Sequence, residues 1–308
     1  MTPPQSVVVI DTNQIPTQGD FESSFWRSLR HLCRTQGLQL TLPDVIVHES
    51  VNKRATDASE WAESFRQSHQ KLSSVARLEP IYVPQRAEIA DSWRRSLEAV
   101  FDVIPVHGDD AIESLKREAL RLWPAQKGYG SRDSAIWLTI VRLVFAGTNV
   151  HLVTNNSHDF GKGKLRPELQ EEVAHAPGNI FYYSTKEAFV AGIATRVDVK
   201  PSLSEAVAQE LLGESAHARA LDLLDSLEFD AISVDDVLDS MVSFAGLRVF
   251  DSFNVDGSGI ANVVGRFTLS SPGGAIFASA SFNTWLDFDP STNEFSSSDL
   301  GDVHIDFR

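Results

Sequence analysis

The sequence predicts two modules of different fold class. Residues 1–198 read as an α/β domain of three layers with a central, mostly parallel sheet, and residues 203–308 as an α+β module with an antiparallel meander. Three observations predict this. Short β-branched apolar runs alternate with helix-length amphipathic segments up to about residue 195, as strands joined by crossover helices do. After residue 203 one helical stretch is followed by alternating segments separated by tight-turn strings, the signature of hairpins. The charge also changes there. Residues 1–196 hold 22 Lys and Arg against 23 Asp and Glu, and the remainder 5 against 19.

Taken in order, SVVVI at 6–10 is a short buried strand ending at Asp11. Phe21, Phe25, Leu29 and Leu32 have helical spacing, and Gly37 stops that helix. Residues 40–47 predict a second strand, with Pro43 at a turn or edge and Glu49 just past its end. Segments 57–76, 86–101 and 109–122 predict amphipathic helices. KGYGSR at 127–132 is a Gly-rich basic loop before a helix, Ala135 to Phe145, that is apolar on most sides and hence buried. Strands at 149–154 and 180–183 alternate with helices at 165–175 and 185–195. In the second module, 203–227 predicts a helix, and 247–255, 260–269, 275–288 and 303–307 predict strands. DGSG at 256–259 and SPGG at 271–274 mark the turns, and Lys200-Pro201 marks the linker.

A chain of 308 residues can bury two cores. The single cysteine, Cys33, excludes an intramolecular disulfide and a cysteine-rich zinc site. The start MTPP lacks a secretory pattern, and the longest apolar region, 135–146, is interrupted by Arg142, so a cytoplasmic chain without a membrane span is expected. No GxSxG elbow and no phosphate-binding GxxxxGK[ST] loop occurs. His48, His151 and His158 read as structural or loop residues rather than general bases.

Four acids stand out by placement: Asp11 after VVVI, Glu49 after PDVIVH, Asp133 at the head of AIWLTIV, and Asp159 after VTNNSH. Ligands gather at the carboxyl ends of parallel strands. Carboxylates converging there repel each other unless a cation sits among them, and oxygen donors without thiolates favour Mg²⁺ or Mn²⁺. Each acid also has a structural reading: Asp11 as an N-cap or Asx-turn, Asp133 as a first-turn acid, Glu49 as a solvated side chain, Asp159 as a loop acid.

The strings VVVIDTN, LPDVIVHESVNK, KGYGSRDSAIWLTIV and VHLVTNNSHDF resemble, in order and content, the acidic motifs of the PIN domain over roughly residues 5 to 195. They are similar in particular to a PIN-like branch whose third motif is a basic Gly-rich loop followed by Arg-Asp-x-x-Ile-Trp. The helical insertion at 55–125 is longer than in minimal members. The resemblance implies an Mg²⁺- or Mn²⁺-dependent nuclease, acting on RNA in most members, which include the toxin halves of many bacterial toxin–antitoxin pairs. It implies Asp11, Glu49, Asp133 and Asp159 as the catalytic, metal-holding quartet. Thr12 and Asn13 would stand behind them, and Thr154 and Asn155 would shape the pocket floor. Asn155 stands where many PIN domains carry an acid, so the fourth charge comes from Asp159, and three acids suffice for one Mg²⁺ with several waters.

Lys53, Lys127, Tyr129, Arg132, Lys162 and Lys164 flank the acids in sequence and are candidates to meet a phosphodiester backbone, with Tyr129 able to stack on an unpaired base. The expected activity is endonucleolytic cleavage of single-stranded RNA. The alternatives are a non-catalytic PIN-like scaffold that binds protein or RNA, and a structure-specific DNA nuclease using the same site. The acidic second module carries no catalytic motif. It is expected to meet a protein partner, to mediate homo-oligomerisation, or to repel unsuitable substrates.

Overall fold

The structure, a computed structural model, describes residues 6–16, 21–197, 201–226, 232–296, 300 and 302–307. The chain divides into two compact units, Met1–Phe21 with Cys33–Val190, and Glu22–Leu32 with Ala191–Arg308. The expected linker residue Lys200 lies outside the described residues. No helix among the described residues is long and apolar enough to cross a membrane.

In the first unit, strand β1 (Ser6–Ile10) is followed by a single 3-10 turn (Thr12–Gln14) and, after helix α1 (Ser24–Thr35), most of which belongs to the second unit, by β2 (Leu38–Pro43). A 30-residue helix, α2 (Asp44–Ser73), then leads through an extended connection to α3 (Arg86–Val100). The remaining elements are β3 (Asp102–Ile104), α4 (Gly108–Leu120), α5 (Ser131–Phe145), β4 (Asn149–Val153), α6 (Pro167–Glu172), β5 (Ile180–Tyr183) and α7 (Lys186–Ile193). The five strands form an all-parallel sheet in the order β3-β2-β1-β4-β5. Val7 to Ile10 and Val150 to Val153 are buried throughout, which is why these central strands read as continuous rather than alternating apolar runs. Ile10 pairs with Val153, so β1 and β4 end in step and release Asp11 and Thr154 side by side.

One expected element changes type. The apolar run at 40–47 is not a single strand: β2 ends at Pro43, and Asp44 begins α2. Proline has no N–H with which to continue the ladder, and Asp44 in the first turn suits a helix N-terminus. Ile46, Val47, Ser50 and Val51 are then buried at helical spacing. Glu49 therefore lies in the second turn of a helix rather than at a strand end. The Gly-rich loop is also shorter than expected, because α5 starts at Ser131 and carries both Arg132 and Asp133 in its first turn.

The second unit holds β6 (Thr195–Arg196), α8 (Glu205–Ser226), α9 (Val234–Leu238), β7 (Met241–Val255), β8 (Ser258–Ser270), β9 (Ile276–Phe288), β10 (Phe295–Ser296) and β11 (Asp302–Phe307). The long strands β7, β8 and β9 form the expected meander, with β6 on the β7 edge and both β10 and β11 antiparallel to β9. Ala208, Leu212, Ala216, Ala220 and Leu224 repeat every four residues along α8 and belong to one core with Phe244, Val263, Phe267 and Phe282 of the sheet. The short side chains on that stripe let the helix approach the sheet closely. Residues 22–32 belong to this unit although they lie far upstream: the rings of Phe25 and Trp285 are 5.3 Å apart, and Arg27 bonds Asp287 at 3.2 Å.

Candidate metal centre

Asp11 is the buried anchor of the site. It leaves β1 as the N-cap of the 3-10 turn, its own N–H still bonded to Val153 O at 3.0 Å, and is only 5% exposed. Three donors converge on its carboxylate: Thr12 N–H on Oδ1 at 2.7 Å, and Asn13 Nδ2 and Thr154 Oγ1 on Oδ2 at 2.7 and 2.6 Å. Burial raises its pKa, these bonds pull it down, and the nearby Glu49 charge raises it again. The capping role foreseen as the alternative to metal binding is thus real, and compatible with it.

Glu49 reaches the same place from α2. Its Oε2 accepts from Thr12 Oγ1 at 3.1 Å, and its Oε1 accepts from Arg132 of α5 at 2.6 Å. Arg132, expected to face substrate, is here committed to a carboxylate. Its neighbour Asp133 is half-buried, and among the described residues its side chain accepts one hydrogen bond, from Asn156 Nδ2 at a long 3.4 Å. Burial first, then the charges of Asp11, Asp159 and Glu49, push the Asp133 carboxyl up to about 7, opposed only by Arg132.

Asp159 lies six residues past the end of β4, in a turn rather than at a strand end. The turn is built by Asn156, whose Oδ1 accepts Asp159 N–H at 3.2 Å and whose own N–H donates to Thr154 Oγ1 at 3.0 Å. His158 Nδ1 is 2.5 Å from Asp159 Oδ1, so this histidine touches the site. Arg166 bonds the His158 carbonyl and lies 3.7 Å over the Trp123 ring. The GKGK string closes the loop: Gly161 has φ +124°, and a side chain there would strike Lys164 O. Tyr182 OH donates to Gly161 O at 2.5 Å.

Two interactions hold the Gly-rich loop and the start of α5. Glu118 of α4 accepts Ser131 N–H at 2.7 Å, and Arg117 donates to Trp123 O at 2.9 Å. Arg117 is itself fixed by both oxygens of Glu172, at 3.1 and 2.7 Å, and Glu172 also accepts from Trp137 Nε1 at 3.1 Å.

Asp11, Glu49, Asp133 and Asp159 are therefore linked by shared hydrogen-bond partners, with Thr12, Asn13 and Thr154 bonded directly to the carboxylates. Asn155 is exposed and contributes its N–H to Asn13 Oδ1 at 3.3 Å. It is Asn156, not singled out by the sequence reading, whose side chain touches two of the acidic residues; the Asn-x-x-Asp spacing of an Asx-turn was the available signal. Lys53, Lys127, Tyr129, Lys162 and Lys164 are all exposed, and Lys127 Nζ lies 6.0 Å from the centre of the Tyr129 ring.

The donor chemistry fits a hard divalent cation: carboxylate oxygens without thiolates, and one half-buried carboxylate with a single long hydrogen bond. Among the described residues no three His, Cys, Asp or Glu side chains are gathered closely enough to hold an ion in this arrangement. Arg132 on Glu49 and His158 on Asp159 occupy oxygens that a cation would compete for.

Thr154 links the acids most directly, being fully buried and bonded at once to Asp11 and to the turn that carries Asp159. Thr154→Val removes a donor from a buried carboxylate at nearly constant volume. It is expected to cost about 1–3 kcal/mol in urea denaturation. An unchanged midpoint would show that Asp11 does not depend on this hydroxyl.

The family model of the PIN domain matches residues 8–160, a span that contains all four acids. No curated protein and no solved structure matches the chain.

Proposed function

Because residues 8–160 make this chain a member of the PIN-domain family, whose fold is of the nuclease type, we propose that it is a divalent-metal-dependent endoribonuclease cutting single-stranded RNA. What supports this reading is that Thr12 bonds both Asp11 and Glu49, and that Asn156 bonds both Asp133 and Asp159 and is itself tied to Thr154 beside Asp11. A cluster of mutually repelling carboxylates destabilises a fold and is explained by a cation.

Asp11, Glu49, Asp133 and Asp159 would hold Mg²⁺ or Mn²⁺, which when bound activates water and shields the leaving oxygen of a phosphodiester. The rest of the chemistry belongs to the chain. Thr154, Asn13 and Thr12 N–H favour the charged form of Asp11 against its burial and aim it, and Asn156 sets the turn that presents Asp159. Arg132 neutralises Glu49 when no cation is present and is free to meet a phosphate once one replaces it. Exposed Lys127, Lys162 and Lys164 supply positive charge for the RNA backbone, as does Lys53, and Tyr129 a stacking face.

The test is a panel of end-labelled single-stranded RNA, duplex RNA and single-stranded DNA with Mg²⁺, Mn²⁺ or chelator. Metal-dependent cutting of single-stranded RNA, leaving 5′-phosphate and 3′-hydroxyl ends, supports the reading. Binding without cutting would instead support a scaffold, and cutting confined to structured DNA would support a DNA nuclease.

For the acidic second unit a protein-facing role remains the proposal, since its charge opposes a nucleic-acid backbone. A variant lacking only 203–308 would be an unsuitable probe. It would strip Trp285 from Phe25 and β7 from β6, leaving residues 22–32 and 195–196 without the sheet they pair with.

A further inference from the structure

Helix α2 is longer than the core it serves. Over its first three turns Ile46, Val47, Ser50, Val51 and Ala55 are buried, but no residue from 56 to 73 is. The apolar face does not end there. Trp61, Phe65 and Leu72 continue it along the same side at steps of four and seven, and are 58, 53 and 56% exposed. Together with Ala58 and Ser68 they mark a seam of heptad spacing, 58-61-65-68-72. One flank of this distal half is covered by the chain itself, where His69 bonds Glu79 O at 3.1 Å. The seam is not.

We propose that the seam is a self-association surface, on which α2 of a second copy packs antiparallel about a two-fold axis beside Ser64. The charges select this occupant and this direction. Asp57 and Lys71 lie on the same flank of the seam, seven residues either side of Ser64. Neither forms an ion pair among the described residues. Antiparallel packing brings Asp57 of each copy to Lys71 of the other, sets Trp61 against Phe65, and sets Ala58 against Ser68. A parallel pair would set Asp57 against Ala62 and Lys71 against Ala76, leaving both charges without a partner. Nor is the surface lined by the positive charge that accompanies base stacking: its flanking positions are Asp57, Ser64 and Lys71 on one side and Ala62 and His69 on the other.

Glu49 lies fifteen residues before Ser64 on one continuous helix, so two copies joined this way hold their carboxylate clusters roughly 45 Å apart along the helical pair.

The experiment uses the full chain. Light scattering at micromolar concentration is expected to give twice the monomer mass, and Trp61→Ala combined with Phe65→Ala, both exposed and so harmless to the fold, the monomer mass. Asp57→Lys and Lys71→Asp should each weaken the dimer at least tenfold, and the double reversal should restore it. A short bismaleimide should join Ser64→Cys into a covalent dimer but not Gln70→Cys, on the opposite side of the helix; native Cys33 is buried. A wild-type chain that stays monomeric overturns the proposal and leaves the seam to a different protein. Single reversals without effect, a double reversal that fails to restore the dimer, or equal cross-linking at 64 and 70 would overturn it too.

Discussion

The Asp11→Asn variant is expected to lose Mn²⁺-stimulated cleavage by about 1,000-fold or more while keeping its fold. Asn has nearly the volume of Asp, and its Oδ1 can still accept Thr12 N–H. The hydroxyl of Thr154 can turn to accept where it now donates, and the exposed Asn13 amide can turn to match. The negative charge cannot be replaced. The substitution removes a buried negative charge that raises the proton affinity of Asp133, so the melting temperature should stay the same or rise. Gel assays with labelled RNA and a thermal melt on the same preparation separate the two effects. Wild-type cleavage by Asp11→Asn would refute the site; joint loss of activity and fold would make Asp11 structural.

The second large effect concerns Asp133 and pH. Its folded-state value of about 7 stands well above the ordinary 3.8 that the unfolded chain keeps. Between these values the folded chain binds more protons than the unfolded one, so metal-free stability is highest below pH 4 for this group and falls as pH rises to 7. The cost at pH 8 is about 2 kcal/mol once solvent access to the site is allowed for. Asp133→Asn is therefore expected to raise the metal-free melting temperature of the first unit at pH 8 by a few degrees, on the order of 2–4 °C per kcal/mol. The gain should shrink towards pH 4. The same substitution should sharply weaken Mn²⁺ binding, so a variant more stable without metal is less stable relative to wild type when metal is present. Melting curves from pH 4 to 8, with and without Mn²⁺, provide the check. A destabilised Asp133→Asn at pH 8 without metal would contradict the origin assigned to the shift.

How much of this was legible beforehand depended on whether a signal was local. Strands β1, β4 and β5 could be read because apolar β-branched runs bounded by polar residues are local, as could the hairpin at 256–259. The acids were singled out because each follows a recognisable string, and the structure gives them shared hydrogen-bond partners in Thr12 and Asn156. What failed was the type of the element behind Glu49. DVIVH is as apolar as a strand, and only the burial of Ser50 and Val51 on the next turn shows that its period is helical. The three-residue β3 was missed because its exposed Asp102 and Val103 leave no buried run to recognise. The pairing of residues 22–32 with Trp285 and Asp287 depends on a contact across some 260 positions, for which helical spacing alone gives no partner. Asn156 escaped notice because Asn155 held the position where an acid is usual. The ion pair between Arg132 and Glu49 was not legible either, because sequence shows a charge but not the carboxylate opposite it.

The most direct test of the account is a calorimetric titration of Mn²⁺ into the metal-free wild type and Asp11→Asn at pH 7. If Asp11, Glu49, Asp133 and Asp159 form one cation site, the wild type binds with saturation and releases protons in step with the share of Asp133 that is protonated, while Asp11→Asn binds at least tenfold more weakly. Identical isotherms for the two proteins, or no saturable binding by the wild type at millimolar Mn²⁺, would contradict it.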